Sequence, residues 1–160
     1  MAGYEWKGER PFDAVYFTGM VRDKQRRKMS KQLGNSPDAL GLIDQYGADG
    51  VRYGIMASAP AGGDILFDEK LCELGRNFCN KLWNALRLVK SWSIDTGMPQ
   101  DEGRALAVRW MQSRLNQVDA DLRQKYIQFR LSEGITSLYT FIWDDFCSWY
   151  LEWVKPGFEQ

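Results

Sequence analysis

From residue 71 onward the apolar residues recur every three or four positions, and this spacing restricts the fold more than any other feature of the sequence. The first stretch carries Leu71, Leu74, Phe78, Leu82, Leu86 and Val89. A second carries Val108, Met111, Leu115, Val118 and Leu122, and a third carries Ile135, Leu138, Ile142, Phe146, Trp149 and Trp153. Such spacing places one apolar stripe on each of three long α-helices. Because the breaks between them are short, we predict an antiparallel bundle with these stripes in its core.

Residues 1–65 follow a different pattern. The segment DAVYFTG, residues 13–19, alternates and is rich in β-branched and aromatic residues, which predicts a strand ending at Gly19. The next segment, MVRDKQRRKM, predicts a short hairpin that turns around Asp23–Arg26. Because one strand or hairpin cannot bury its own faces, this region is typical of the end of a larger α/β domain.

Two short helices are predicted between the hairpin and the first long helix. The run from Ser36 to Asp38 offers an N-cap hydroxyl on Ser36, a first-turn proline and an acid, and Gly47 offers a stop. The apolar face of this helix would be Leu40, Ile43 and Tyr46. The second helix covers ADGVRYGIMASA, and the long helix begins near Asp68. The predicted fold class is therefore mainly α: a small α/β remnant with short connector helices, followed by a long-helix antiparallel bundle.

The composition excludes several kinds of chemistry. The sequence has no histidine, which removes histidine general bases, Ser-His and Cys-His nucleophiles and histidine-bound metal, so we expect no metal site. Its three cysteines fit buried thiols in a reducing compartment such as the cytoplasm. The 21 basic and 21 acidic residues cancel, so no overall charge favours nucleic acid. No apolar run approaches the ~20 residues of a membrane span.

One segment, VRDKQRRKMSKQLGNSPD, residues 21–38, departs from this even charge. Against one acid, Asp23, its first eleven positions carry the basic residues Arg22, Lys24, Arg26, Arg27, Lys28 and Lys31. Two lysines separated by Met-Ser and followed by a glycine suit a segment that brings ammonium groups to a polyphosphate. A solvated basic turn, or a patch that touches RNA phosphates without specificity, accounts for the charge as well, and composition alone favours that simpler interpretation.

Four segments resemble a known family. RKMSKQLGNSPD, residues 27–38, closely resembles the Lys-Met-Ser-Lys-Ser signature of class I aminoacyl-tRNA synthetases with its downstream Leu-Gly-Asn. DQYGADGVRYGIMASA, residues 44–59, resembles the helix that follows this loop in the same class. GRNFCNKLWNALRLV, residues 75–89, and FIWDDFCSWYLE, residues 141–152, are similar to segments particular to valyl-tRNA synthetases.

The resemblance implies a reaction and its site residues. Members of the family use ATP, with Mg²⁺, to activate an amino acid as the adenylate and then transfer the acyl group to tRNA; here it implies valine and tRNA(Val). It implies that Lys28 and Lys31 stabilise phosphate charge in the transition state. The ATP-binding residues would be Lys28, Met29, Ser30 and Lys31. Closure of the loop would exclude water from the adenylate.

The first long helix has a polar side that is a candidate tRNA contact. The resemblance implies that its residues touch the tRNA backbone or the catalytic domain; these are Arg76, Asn80, Lys81 and Arg87. An equally good alternative is that the asparagines of this helix bond to the connector and the cations lie in solvent. In the last helix we expect the aromatic residues to form core rather than to stack on bases, and Asp144, Asp145 and Glu152 to be surface or cap groups.

The resemblance extends over about residues 15–155, with two departures. Gln32 stands where the family has its final serine, and Ser148 replaces an expected acid. We assign residues 1–65 to the end of a catalytic domain with its connector, and 66–160 to the front of an anticodon-binding domain. Because the family also needs a His-Ile-Gly-His signature, we expect a fragment that is inactive alone, holds no tightly bound cofactor and has no membrane or DNA partner.

Two other interpretations remain open from the sequence. The chain could be a non-catalytic helical module that binds tRNA or another RNA and has kept the basic loop as a contact. It could also be a structural helical domain whose basic loop docks on an acidic partner. A His-x-Gly-His motif in the same reading frame would favour the synthetase.

Overall fold

The computed structural model describes residues 2–60, 62–93, 97 and 101–155. The elements are α1 (Ala2–Lys7), β1 (Val21–Arg22), a 3₁₀ turn (Lys31–Leu33), α2 (Ala39–Tyr46), α3 (Ala48–Ala57), β2 (Ile65–Leu66), α4 (Glu69–Ser91), α5 (Glu102–Ile127), α6 (Leu131–Thr140), a π-helical segment (Phe141–Tyr150) and α7 (Leu151–Val154). The last three follow one another directly and are called the last helix. The mainly α fold class is confirmed. Much of the predicted break between α4 and α5 lies outside the described residues.

The predicted strand over residues 13–19 is wrong. The described β structure begins at Val21, which pairs in parallel with Ile65 of β2. Strand propensity becomes a strand only where a partner supplies hydrogen bonds and packing. In this segment Val15 and Phe17 are 58% and 80% exposed, so within the described residues they have little surface to pack against.

The predicted hairpin is confirmed. An antiparallel bridge joins Arg22 to Lys28, and the Met29 N–H donates to the Val21 carbonyl at 3.1 Å. The turn closes with the Arg26 N–H donating to the Asp23 carbonyl at 2.9 Å. The hairpin is thereby attached through β1 to β2, which leads directly into α4.

The first connector helix begins later than predicted. Asp38, not Ser36, is its N-cap: the carboxylate accepts a hydrogen bond from the Gly41 N–H at 3.0 Å. The buried face differs accordingly, since Leu42 is 8% exposed and Leu40 is 70% exposed. The predicted stop is confirmed, because Gly47 ends α2 with a φ of 75° that a side chain would strain.

A small core joins the connector to the long helix. Leu42, Val51, Phe67 and Cys72 form this cluster, and Met29 and Tyr46 pack against it. The crossing of α3 over α4 is close because it is made of small residues. A Cβ built on Gly54 would lie 2.6 Å from the Cys72 sulfur, and one on Gly75 would lie 2.6 Å from the Tyr53 Cβ.

The apolar stripe predicted for α4 is partly wrong. Phe78 is buried, but Leu82, Leu86 and Val89 are 37%, 51% and 39% exposed. The buried positions of α4 are Cys72, Gly75, Phe78 and Ala85. The face that meets α3 therefore consists largely of small residues, which allow the two backbones to approach closely.

The antiparallel pairing of long helices is confirmed for α5 and the last helix. The beginning of α5 meets the end of the last helix, where the Trp110 and Trp153 rings lie 5.2 Å apart. The end of α5 meets its beginning, where the Lys125 ammonium donates to the Ser137 hydroxyl at 2.5 Å. The irregular turn between them contains Phe129, whose φ is 57°. The predicted interruption near residues 128–131 is therefore present.

The aromatic residues of the last helix are less buried than predicted. Trp149 and Trp153 are 55% and 47% exposed, whereas Phe141 and Leu151 are 9% and 4% exposed. The reason is the π-helical segment, whose i→i+5 pattern rotates a stripe that was extrapolated at 3.6 residues per turn. Ser148 follows this pattern, since its hydroxyl donates to the Trp143 carbonyl five residues earlier at 2.9 Å.

Candidate functional site

The basic loop, defined here as residues 21–35, combines the hairpin with the 3₁₀ turn. Lys28 lies on the returning arm of the hairpin, and Lys31 is the first residue of the turn. Between them Met29 packs against the core, which attaches the middle of the motif to the rest of the fold. The Ser30 hydroxyl accepts a hydrogen bond from the Leu33 N–H at 3.2 Å and so caps the turn.

Asp23 is the centre of the hydrogen bonds inside the basic loop. Its carboxylate accepts from the backbone N–H groups of Gln25 and Arg27 at 3.0 and 2.8 Å, and from the Arg27 Nε at 2.8 Å. It also accepts from the Asn35 Nδ2 at 3.0 Å. The hydrogen bond from Asn35 is the largest of the effects that lower the pKa of Asp23 from 3.8 to about 2. The carboxylate is therefore ionised throughout the physiological range.

Asn35 connects the two arms of the basic loop. Its Oδ1 accepts from the Ser30 N–H at 2.9 Å, while its Nδ2 donates to the Lys28 carbonyl at 3.2 Å as well as to Asp23. Gly34 precedes it with a φ of 63° and ends the 3₁₀ turn. The Leu-Gly-Asn run after the second lysine therefore has a structural reason: its glycine takes a left-handed conformation, and its asparagine reaches back to the lysine segment.

Acidic groups neutralise only some of the cations of the basic loop. Arg27 pairs with Asp23 at 2.8 Å, Lys24 pairs with Asp68 at 3.1 Å, and Arg22 pairs with Asp64. The pKa of Asp64 is lowered chiefly by the hydrogen bond from Arg22. Over the part of the chain that the structure describes, the cations of this loop without an ion pair are Arg26, Lys28 and Lys31, and all three are exposed.

This distribution decides what the basic loop can do. The paired cations hold it on Asp64, on Asp68 at the N-cap of α4, and on Asp23 within the turn. The positive charge that remains is concentrated at the exposed Lys28 and Lys31, with Arg26 at the tip. Ammonium groups placed in this way can neutralise oxygens of a polyphosphate at low desolvation cost.

Sequence reasoning missed Asp23 and Asn35. It counted Asp23 only as the acid that reduces the charge of the segment, and it assigned no role to Asn35. A signal was present, because an Asp inside a turn and an Asn after a left-handed Gly are residues that bond to nearby backbone groups.

The structure separates the four polar residues predicted on α4. The Arg76 guanidinium lies 5.8 Å from the centre of the Tyr46 ring and 3.8 Å from Glu73. The Lys81 ammonium lies 4.4 Å from the centre of the Trp143 ring, at the contact of α4 with the last helix. Asn80 and Arg87 are exposed. Arg76 and Lys81 are therefore engaged within the fold, and Asn80 and Arg87 face outward.

Asp145 differs from its predicted place at the surface. It is only 17% exposed at its side chain and accepts from the Nε and Nη2 of Arg114 on α5 at 2.9 and 2.7 Å. Asp144 is exposed, as expected. The two adjacent acids thus differ because the last helix turns one toward α5 and the other toward solvent.

The cysteines are not paired with one another, and the described helices do not suit a membrane. Cys72, Cys79 and Cys147 are free, and burial raises the pKa of each. Among the described residues, no helix combines the length and the apolar character that crossing a membrane requires.

Two family models match the chain. The one described as tRNA synthetases class I (I, L, M and V) matches residues 1–68, and the one described as anticodon-binding domain of tRNA ligase matches residues 108–160. The first match contains the whole basic loop. The second contains the last helix and most of α5.

Curated relatives match all or nearly all of this chain. The valine–tRNA ligase of Parabacteroides distasonis is 58% identical over 160 residues, which is 100% of this chain and 18% of that protein. That of Bacteroides thetaiotaomicron is 56% identical over the same share of each chain. The valine–tRNA ligase of Chlorobaculum tepidum is 42% identical over 97% of this chain and 19% of its own. The chain thus spans about a fifth of the length of these relatives.

A solved structure has a similar fold. It is the agnB2 LeuRS of Agrobacterium radiobacter K84, in a ternary complex with tRNA and LeuAMS. The TM-score is 0.54 at 23% identity, over 80% of this chain and 17% of that one. At this identity the similarity concerns the fold alone.

Proposed function

The chain belongs to the class I tRNA synthetases, and on that premise we propose that it is the segment of a valine–tRNA ligase that carries the ATP-phosphate loop and the front of the tRNA-binding helices. The complete enzyme would be cytoplasmic and would use ATP with Mg²⁺, valine and tRNA(Val). Residues 1–65 would end its catalytic domain, and residues 66–160 would begin its anticodon-binding domain. The sequence identity to valine–tRNA ligases supports this proposal over a non-catalytic RNA-binding module.

The basic loop would act in the first half-reaction. A carboxylate oxygen of valine attacks the α-phosphorus of ATP, the bond from that phosphorus to the bridging oxygen breaks, and pyrophosphate leaves. Negative charge builds on the leaving phosphates, where Lys28 and Lys31 would lie. Their contribution is electrostatic and orientational and requires no general base, in agreement with a segment that has no histidine.

One observation carries this proposal: in the described structure the two lysines of the motif are exposed and without ion pairs, as is Arg26 at the tip, while Arg22, Lys24 and Arg27 of the same loop are neutralised by Asp64, Asp68 and Asp23. A merely solvated basic turn gives no reason for this division. Met29 and Ser30 would support ATP binding by positioning the loop. Met29 packs against the core, and Ser30 caps the turn that begins at Lys31.

The test is Lys31→Glu in the complete enzyme. We expect valine-dependent exchange of pyrophosphate into ATP to fall by at least about 10²-fold, since one electrostatic stabiliser of a transition state is removed and reversed. Affinity for tRNA(Val) should change little. Lys7→Glu, on α1, is the matched charge reversal outside the basic loop and should leave both quantities unchanged.

Two results would contradict the proposal. One is loss of tRNA binding by Lys31→Glu with normal pyrophosphate exchange, which would make the basic loop an RNA contact. The other is exchange that depends on an amino acid other than valine. The isolated 160-residue chain is expected to show no exchange at all.

We also propose that α4 contributes to tRNA binding. Asn80 and Arg87 are exposed seven residues apart and so lie on one side of the helix, where they can meet phosphates. Arg76 and Lys81 would support that surface from their contacts with Tyr46 and Trp143.

A further inference from the structure

We propose that Asp23 and Asn35 form a lock that fixes the backbone of the lysine segment, and that both are positioning residues for adenylate formation. The inference rests on the proposed function, because it assigns the lock to the same phosphate chemistry. Neither side chain is expected to touch ATP. Each acts through the backbone from which Lys28 and Lys31 extend.

Asn35 has the only type of side chain of its length that can make all three observed bonds. Its partners are one N–H group, on Ser30, and two oxygens, on Lys28 and Asp23. An amide offers one acceptor and two donor hydrogens, which match these partners. An aspartate has no donor when ionised, and a serine hydroxyl has only one. The carboxylate of Asp23 lies opposite, so an acid at position 35 would also meet a like charge.

Asp23 holds the other side of the lock. It is 7% exposed, and it binds the Arg27 backbone, the Arg27 side chain and Asn35. Hydrogen bonds to a shielded carboxylate compete little with water and are stronger than neutral ones. Together Asp23 and Asn35 fix backbone atoms at Arg27, Lys28 and Ser30, so the fixed atoms lie at Lys28 itself and at the residue before each lysine.

This fixation matters because the lysines are long and flexible. Their ammonium groups can meet the leaving phosphates reproducibly only if the backbone that carries them keeps one shape as the loop closes. Displacement of a catalytic group by about 1 Å can reduce a rate by about 10²-fold. The lock would therefore affect the rate of the ATP step without contributing to the binding of valine.

The experiment uses the complete enzyme and compares Asn35→Asp, Asp23→Asn and the double variant that exchanges the two residues. We expect each single variant to lower the kcat of valine-dependent pyrophosphate exchange by about 10- to 100-fold, with the KM for valine within about twofold. In the double variant, Asn at position 23 can donate to Asp at position 35, so at least about half of the lost activation free energy should return, which is about threefold in rate for a 10-fold loss and about tenfold for a 100-fold loss.

The controls separate the possible failures. Asn116→Asp, on the exposed side of α5, makes the same chemical change away from the basic loop and should be neutral. A wild-type enzyme without valine-dependent exchange would overturn the proposed function. An active wild type with Asn35→Asp unaffected, with the KM for valine raised as much as kcat falls, or with no rescue in the double variant, would overturn the lock alone.

A measurement on the wild-type chain covers the case in which the variants do not fold. The Ser30 amide donates to Asn35, and the Arg27 amide donates to Asp23. Hydrogen exchange followed by NMR should show both amides protected by at least about tenfold relative to an unstructured peptide. Exchange of both at the unprotected rate would show that the lock does not exist.

Discussion

Asp23 shows how one acid can organise a basic segment. Without it, Arg27 would have no carboxylate within the turn, and the donors of Gln25, Arg27 and Asn35 would lose their shared acceptor. The basic loop is conspicuous in the sequence for its positive charge, yet its one acidic residue holds its backbone in shape. The pKa of this carboxylate therefore reports on the hydrogen bonds that organise the loop.

We predict that Asp23 titrates near pH 2. Its pKa in the folded chain is about 2, below the ordinary 3.8, so its contribution to stability is fully present above about pH 4 and is lost as the pH falls through about 2. NMR of the Asp23 carboxyl carbon would give the midpoint. Asn35→Ala should raise that midpoint, because the amide is the largest cause of the shift. A wild-type midpoint at or above 3.8 would contradict the assignment.

At the scale of elements, the close crossing of α3 and α4 joins the connector to the long helix. Gly50, Gly54 and Gly75 lie at this contact, against Cys72, Arg76 and Tyr53. Because these glycines have no side chains, the backbones of α3 and α4 approach closely. A displacement of one helix is therefore passed on to the other. The position of α4 is thereby tied to α3, the second of the two connector helices that follow the basic loop.

We predict that Gly54→Ala destabilises the chain by about 2 kcal/mol or more, because the new methyl group would lie 2.6 Å from the Cys72 sulfur and 2.8 Å from its backbone nitrogen. Gly41→Ala in α2 is the matched control. There the nearest atom is 3.4 Å away, so the change should be neutral or stabilising by up to about 1 kcal/mol. Urea unfolding followed by circular dichroism would measure both. Equal effects at the two glycines would refute the close crossing.

The helices show what apolar spacing can and cannot predict. It located α4, α5 and the last helix because a 3.6-residue period extends over many turns. It failed for the buried face of α4, where Cys72 and Gly75 are buried and Leu86 is exposed. A hydrophobicity pattern gives weight to large residues, whereas close packing of two helices selects small ones. It also failed where the π-helical segment changed the period.

Across the described part of the molecule, some positive side chains are neutralised by acids and others remain exposed. One kind is neutralised at contacts between elements, as at Arg114 with Asp145. The other kind is exposed on the basic loop and on α4. The family motif singles out the two lysines of the proposed phosphate site, and local turn chemistry marks Asp23 and Asn35 as residues that bond to nearby backbone. Their bond to each other could not be predicted, because a hydrogen bond between residues 12 apart leaves no periodic signal in one sequence.

We predict that Arg87→Ala in the complete enzyme weakens binding of tRNA(Val). The slope of log K against log salt concentration should fall by about 1, as expected for one lost phosphate contact. Arg109→Ala, on the exposed side of α5, is the matched control and should leave the slope unchanged. Filter binding at several salt concentrations would measure the slope. An unchanged slope for Arg87→Ala would show that Arg87 makes no phosphate contact with tRNA.

The ion pair between Lys24 and Asp68 couples the basic loop to the orientation of α4. Asp68 is the N-cap of α4, a helix of 23 residues that is therefore about 34 Å long. The basic loop is thus attached to the N-terminal end of this long helix. A tilt of roughly 5° about the first turn would carry the far end through about 3 Å while Asp68 stays almost in place. Movement at the distant end of α4 would thus reach the loop as a small rotation.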